Sequence, residues 1–160
     1  MIFLIVLIIL FFDRLTKILA TKNLSLSESY PLIKGYFHLT LAHNRGAAFG
    51  ILKNHLYLFV LTSVIAIVLI FLDLHKHRHK KISLYSLSLA LILSGAIGNL
   101  IDRLYFGYVI DFLDFRIWPV FNVADSAITV GAILLGWSII TNDKSQVSRD
   151  PANSWSVKSH

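Results

Sequence analysis

Residues 56–72 and 82–101 run without a single charged side chain. A bilayer core takes about 17–25 mostly apolar residues per helix, whereas a helix of that length at the surface of a soluble domain keeps a polar face. Residues 117–141 form a third such stretch, interrupted only by Asp125. A fourth begins at the N-terminus. Residues 2–12 are wholly apolar, then Asp13, Arg14 and Lys17 intervene before Ala20. A cleaved signal peptide has a similar profile, but no basic region precedes this one and no small-x-small site follows it. It is therefore read as a retained span whose charged end is buried in protein or meets the interface. Composition agrees: 56% of the 160 residues are hydrophobic and 15% charged, too little polar surface for a soluble domain of this size. The fold expected is an all-α integral membrane protein with four transmembrane helices.

Basic residues set the orientation. Residues 73–81 carry four Lys or Arg in a short loop between the second and third spans, and the positive-inside rule assigns such a loop to the cytoplasm. Both termini then face the cytoplasm as well. Residues 21–54 and 105–119 fall outside. Within the first of these, Tyr36-Phe37-His38-Leu39-Thr40-Leu41 follows a Lys34-Gly35 turn signal, predicting a small extracytoplasmic β-rich segment after the first helix. Residues 1–141 are read as one transmembrane domain, and residues 142–160 as a polar, disordered cytoplasmic tail. The net charge of +6 suits anionic lipid headgroups, with no nucleic acid implied. The absence of cysteine excludes disulfides and thiolate metal sites.

An ionisable residue at the centre of a span costs roughly 2.5–3.5 kcal/mol or more, which makes each one a functional candidate. Asp13 and Lys17 lie one turn apart, near the outer end of the first span. Asn99, Asp102 and Arg103 close the third. Asn122 and Asp125 open the fourth, and Asp111 lies between the third and fourth spans. All map to one membrane side. Capping, snorkelling or a one-turn Asp13–Lys17 ion pair accounts for any single one of these, but four segments converging on one level is a stronger pattern. Two aspartates sharing a site cannot both ionise freely, so one keeps a proton to polarise a carbonyl while the other takes a proton from water. The positive end of the fourth helix favours the anion at Asp125; Asp111 is then the more readily protonated partner.

Two further features have plainer readings. His75, His77 and His79 alternate with basic residues and lack the carboxylate or thiolate framework of a metal site. Gly95-Ala96-Ile97-Gly98 is a small-residue patch suited to close helix packing.

Five blocks in order give the chain a family resemblance: Asp13-Arg14-Leu15-Thr16-Lys17; Asn44-Arg45-Gly46-Ala47-Ala48-Phe49; residues 95–103, ending in Asn99-Leu100-Ile101-Asp102-Arg103; Val109-Ile110-Asp111-Phe112; and Phe121-Asn122-Val123-Ala124-Asp125. The sequence resembles the bacterial lipoprotein signal peptidases, or signal peptidase II. Arg14 stands where that family often has Gln, Ser94 where a second Gly is common, and the Asp111–Asp125 spacing is short. The resemblance implies an aspartic endopeptidase of the bacterial cytoplasmic membrane, with its active site on the extracytoplasmic side. It would remove signal peptides from diacylglyceryl-modified prolipoproteins, cleaving just before the modified cysteine. Asp111 and Asp125 match the catalytic pair, and Asn44, Gly46, Asn99, Arg103 and Asn122 match positions that line the site. Asp13 and Lys17 match a supporting block. No metal or organic cofactor is implied; the partners are the prolipoprotein and membrane lipids, with the enzyme a monomer. The rival readings are a small transporter or channel subunit and a non-catalytic assembly factor. The first predicts polar residues strung through the bilayer depth, rather than gathered at one end.

Overall fold

The computed structural model of the chain describes residues 2–46, 55–76 and 82–147, with side chains as far as residue 141. Four helices, α1 (Ile2–Asn23), α2 (Leu56–Lys76), α3 (Leu84–Phe106) and α4 (Val123–Val147), are joined by three strands: β1 (Ser29–Ile33), β2 (Phe37–Asn44) and β3 (Val109–Asp114). Among the described residues, three helices are long and apolar enough to cross a membrane: Leu56–Lys76, Leu84–Phe106 and Val123–Thr141.

The first helix is as long as these but interrupted by charge, and its packing resolves the conflict. Asp13 and Lys17 are fully buried, while the outward face (Leu4, Leu7, Ile8, Phe11, Leu15, Ile18 and Leu19) is apolar throughout. Lipid along that face would meet only hydrocarbon. Of the two expectations for the charged end, burial in protein is the one realised, and α1 continues past Lys17 to bring Ala20 against the sheet.

α3 is the central element, packing against α1, α2 and α4. Its start is set by a capping box, in which Ser83 Oγ accepts from Ser86 N and Ser86 Oγ accepts from Ser83 N. It stops at Gly107, whose left-handed backbone (φ 77°) lets its N–H donate to Arg103 O at 3.1 Å. The small-residue patch does what its composition predicts. A Cβ on Gly95 would collide with the Ala124 carbonyl oxygen and lie 2.7 Å from Ile128 Cγ1, so only glycine lets α3 and α4 approach this closely.

Several boundaries differ from the sequence reading, and the first three helices run on past 20, 72 and 101 to Asn23, Lys76 and Phe106. The third helix begins two residues after 82, because Ser83 caps it. The fourth begins at Val123, since residues 117–122 are a loop in which Ile117 is 93% exposed. It continues to Val147, past the expected limit at 141; residues 148–160, and with them the rest of the expected disordered tail, lie outside the described residues.

The β-rich segment forms as expected, with Gly35 (φ 83°) in the turn between β1 and β2. The expectation was nevertheless incomplete, and the chain is not all-α. The sheet is antiparallel in the order β1-β2-β3, and its third strand comes from between α3 and α4. A bulge between Leu39 and Ala42 resets the β2–β3 register, so that Ala42 faces Asp111 and Asn44 faces Val109. Beyond β3, Phe121 pairs back onto Leu113, donating to its carbonyl at 3.0 Å and accepting from its N–H at 2.8 Å. That closed loop delivers the chain to α4 beside β3.

The interior is layered. One apolar cluster (Ile2, Val6, Leu74, Leu89, Ala90, Leu93) fills one half of the bundle. A second (Ala20, Leu41, Ile110, Phe112) lies beneath the sheet. Asp13, Lys17, Asn99, Asp102, Asp111 and Asn122 are buried as well and belong to neither cluster.

Candidate active site

Asp111 comes from β3 and Asp125 from the first turn of α4. The sequence reading placed Asp111 between the third and fourth spans; it lies there on a sheet strand, because Gly107 ends α3 and the chain turns into β3. Asp111 is 1% exposed, whereas Asp125 is only half-buried. Both oxygens of Asp111 are engaged: Asn122 Nδ2 donates to Oδ1 at 2.7 Å, and Asn44 Nδ2 to Oδ2 at 2.9 Å. Asn44 reaches it as a diagonal cross-strand neighbour, and its own Oδ1 accepts from Gly46 N at 3.0 Å. Asn99 Nδ2 donates to Asp125 Oδ1 at 2.7 Å.

The two carboxylates are joined through amides. Asn122 Nδ2 also lies 3.1 Å from Asn99 Oδ1. Asn122 Oδ1 meanwhile accepts from Asp125 N at 2.8 Å, so the residue both caps α4 and holds Asp111. Burial above all, and then the charge of Asp125, pushes Asp111 up to about 7, against the opposing hydrogen bonds from Asn44 and Asn122 and the charge of Lys17. At neutral pH this carboxyl is poised between its two forms.

Beneath the pair lies a charge-balanced knot of two acids and two bases. Lys17 Nζ contacts Asp102 Oδ2 at 2.7 Å, Asp13 Oδ2 at 3.0 Å and Asn99 Oδ1 at 3.1 Å. Arg14 bridges Asp102 and Asp13 at 2.6 and 2.7 Å and donates to Gly98 O. Asp13 Oδ1 accepts from Ala124 N at 3.0 Å, satisfying an open N–H at the start of α4, and Asp102 Oδ2 accepts from Ile110 N. Arg103 stands apart. Its guanidinium lies 5.3 Å from the Phe59 ring centroid on α2, and its charge is felt by Asp125, Asp111 and Asp102.

The residues matched by the profile of the family described as Signal peptidase (SPase) II are 5–141, most of the chain. The chain belongs to the signal peptidase II family. A lipoprotein signal peptidase of Halothermothrix orenii is 50% identical over 135 residues, covering 84% of this chain and 92% of that protein. One from Caldanaerobacter subterraneus subsp. tengcongensis is 54% identical over 137 residues, covering 85% and 93%. Two solved structures described as bacterial membrane enzymes, both determined by the in meso method, share the fold. One has a TM-score of 0.81 at 28% identity over 90% of each chain. The other scores 0.74 at 30% identity, over 86% of this chain and 91% of its own. Membership of the signal peptidase II family makes this protein a peptidase, and its apolar helices fit a membrane enzyme.

Asp13, Lys17, Asn44, Gly46, Asn99, Asp111, Asn122 and Asp125 thus come together in one connected network. Among the described residues, Arg103 adjoins that network by charge without a hydrogen bond to it. Two participants were missed. Arg14, noted in the sequence as a charge interrupting the first span and a departure from Gln but given no role, is a bridging cation. Asp102 was grouped with the polar ring but assigned no role; its spacing of three from Asn99, which places both on one helix face, was the available signal. Of the histidines in the basic loop, His77 and His79 lie outside the described residues. No cluster of metal-ligating side chains occurs among the described residues.

Proposed function

We propose that this protein is an aspartic endopeptidase that removes signal peptides from diacylglyceryl-modified prolipoproteins, cleaving just before the modified cysteine, with Asp111 and Asp125 as its catalytic pair. The observation that carries the reading is the Asn99–Asn122 bridge, which ties one carboxylate to the other. In the resting state Asp111 holds a proton and Asp125 is ionised. Asp125 takes a proton from water as the water oxygen attacks the scissile carbonyl carbon, and Asp111 gives its proton to the carbonyl oxygen. Collapse of the gem-diol returns a proton to Asp111, while Asp125 protonates the leaving amine. Asn44, Asn99 and Asn122 hold the carboxylates in place, Gly46 fixes Asn44, and Arg103 offers positive charge to the substrate backbone. No cofactor enters this scheme.

The enzyme is a monomer of the bacterial cytoplasmic membrane with four spans, α1 included, and both termini in the cytoplasm. Residues 1–141 make up the catalytic domain. The site opens on the extracytoplasmic side, where a lipid-anchored peptide presents its scissile bond. The apolar layer below the polar one disfavours a polar path through the bilayer, and so a transporter.

The test is to incubate the purified protein with a diacylglyceryl prolipoprotein, beside Asp111→Asn and Asp125→Asn. Cleavage before the modified cysteine by wild type alone is expected. Intact substrate with wild type, or wild-type rates in either variant, overturns the proposal.

A further inference from the structure

Lys17 is 1% exposed, yet the mechanism gives it no step. An ammonium has three donors and no acceptor, and here the three meet Asp13, Asp102 and Asn99 Oδ1. The last contact decides which way the Asn99 amide faces. With Oδ1 held by the cation, Nδ2 is left to donate to Asp125 at 2.7 Å. Reversed, the amide would set N–H groups against an ammonium and lone pairs against a carboxylate, so both contacts would be repulsive. The same Oδ1 also receives Asn122 Nδ2, and Asn122 in turn donates to Asp111. The cation thereby orients the Asn99 amide, whose oxygen in turn receives the Asn122 nitrogen that also holds Asp111.

We infer that Lys17 is the positioning residue of this site: it locks the Asn99 amide so that a donor faces Asp125, and through Asn122 it aligns Asp111. This rests on the aspartate-pair reading above. The plainer role is that Lys17 merely neutralises Asp13 and Asp102 and so holds α1 to α3. The two roles separate when charge balance is restored without restoring the donor to Asn99.

Two double variants do this, Lys17→Met/Asp102→Asn and Lys17→Met/Asp13→Asn, since each leaves Arg14 opposite one carboxylate. The charged and titratable groups around Lys17 are Asp13 and Arg14 on α1, Asp102 and Arg103 on α3, Asp111 on β3 and Asp125 on α4. Each variant is purified whole, melted, and assayed for kcat, KM and pH profile on a diacylglyceryl prolipoprotein. Cooperative melting is expected in at least one double variant. There kcat falls on the order of 100-fold, as for a reacting group displaced by about an ångström, while KM stays unchanged. Lys17 is among the charges that draw Asp111 downwards, so the alkaline limb of the profile is expected to leave its wild-type position. A double variant that melts cooperatively and keeps wild-type kcat and pH profile overturns the inference. Failure of both to fold also overturns it, assigning Lys17 to structure alone. Wild type leaving the substrate intact is a separate result, and counts against the peptidase reading itself.

Discussion

Asn122 donates to Asp111 across 2.7 Å from the position that caps the helix bearing Asp125. One side chain therefore spends its oxygen on the start of α4 and its nitrogen on the partner carboxylate. Start of helix and geometry of site are set together.

The two duties of Asn122 can be parted by substitution. Asn122→Ala removes both the cap and the donor, and is expected to cost about 1 kcal/mol of stability along with most of the activity. Asn122→Ser keeps a good capping oxygen but cannot reach Asp111. It is expected to melt near wild type while kcat remains low. Thermal melting in detergent beside kcat checks both; equal activity in Asn122→Ser and wild type would show that the Asp111 contact is dispensable.

The glycines of α3 are expected to fail differently. Gly95→Ala drives a methyl into the Ala124 carbonyl and Ile128, where backbone must yield, costing roughly 1–3 kcal/mol. Gly98→Ala lies 2.7 Å from Asp13 Oδ2 and 3.3 Å from Ala124 Cβ. It pushes the carboxylate that caps α4 and pairs with Lys17, so activity should fall further than melting temperature predicts. Measuring both in the two variants tests the contrast.

The pH dependence follows from Asp111. Its pKa stands at about 7 against an ordinary 3.8, so between those values the folded protein holds a proton that the unfolded chain has released. The unfolded state binds fewer protons in that window, and stability falls as pH rises through it. The proposed mechanism needs the same proton, so activity is expected to decline above about pH 7. A wild-type kcat–pH profile measures this limb. Asp111→Glu should displace it, and an unmoved limb would assign the titration to another group.

Topology is open to direct labelling, because the chain has no cysteine. Lys34→Cys, in the turn before β2, is expected to react with an impermeant maleimide in intact cells. Lys76→Cys, at the end of α2, should react only after permeabilisation. The reverse pattern would invert the proposed orientation.

Much of this was legible in the sequence, for definite reasons. Apolar runs, uncharged for α2 and α3 and broken only by Asp125 for α4, identified these helices, because a membrane span needs such runs whatever the packing. The polar ring was legible because ionisable groups in spans need partners, and Asp13, Lys17, Asn99, Asp102, Asn122 and Asp125 do find one another. Strand β3 was not legible. Val109-Ile110-Asp111-Phe112-Leu113-Asp114 is short, and its pairing partner β2 lies more than sixty residues away in sequence. Nor could the sequence place Lys17 against Asn99 rather than against Asp13 alone. That contact depends on how closely α1 and α3 approach, which Gly98 controls from the other helix.

The division of the two aspartates between a strand and the last helix has a consequence for how the protein is made. Ribosomes deliver the chain from its N-terminus, so α1, the sheet residues and α3 exist before Val123 emerges. Until α4 docks, Asp111 has neither Asn122 beside it nor Asp125 opposite. On the proposed aspartate-pair mechanism, a nascent chain is silent as a protease until α4 joins the other described helices, and hydrolytic competence arrives with that one step.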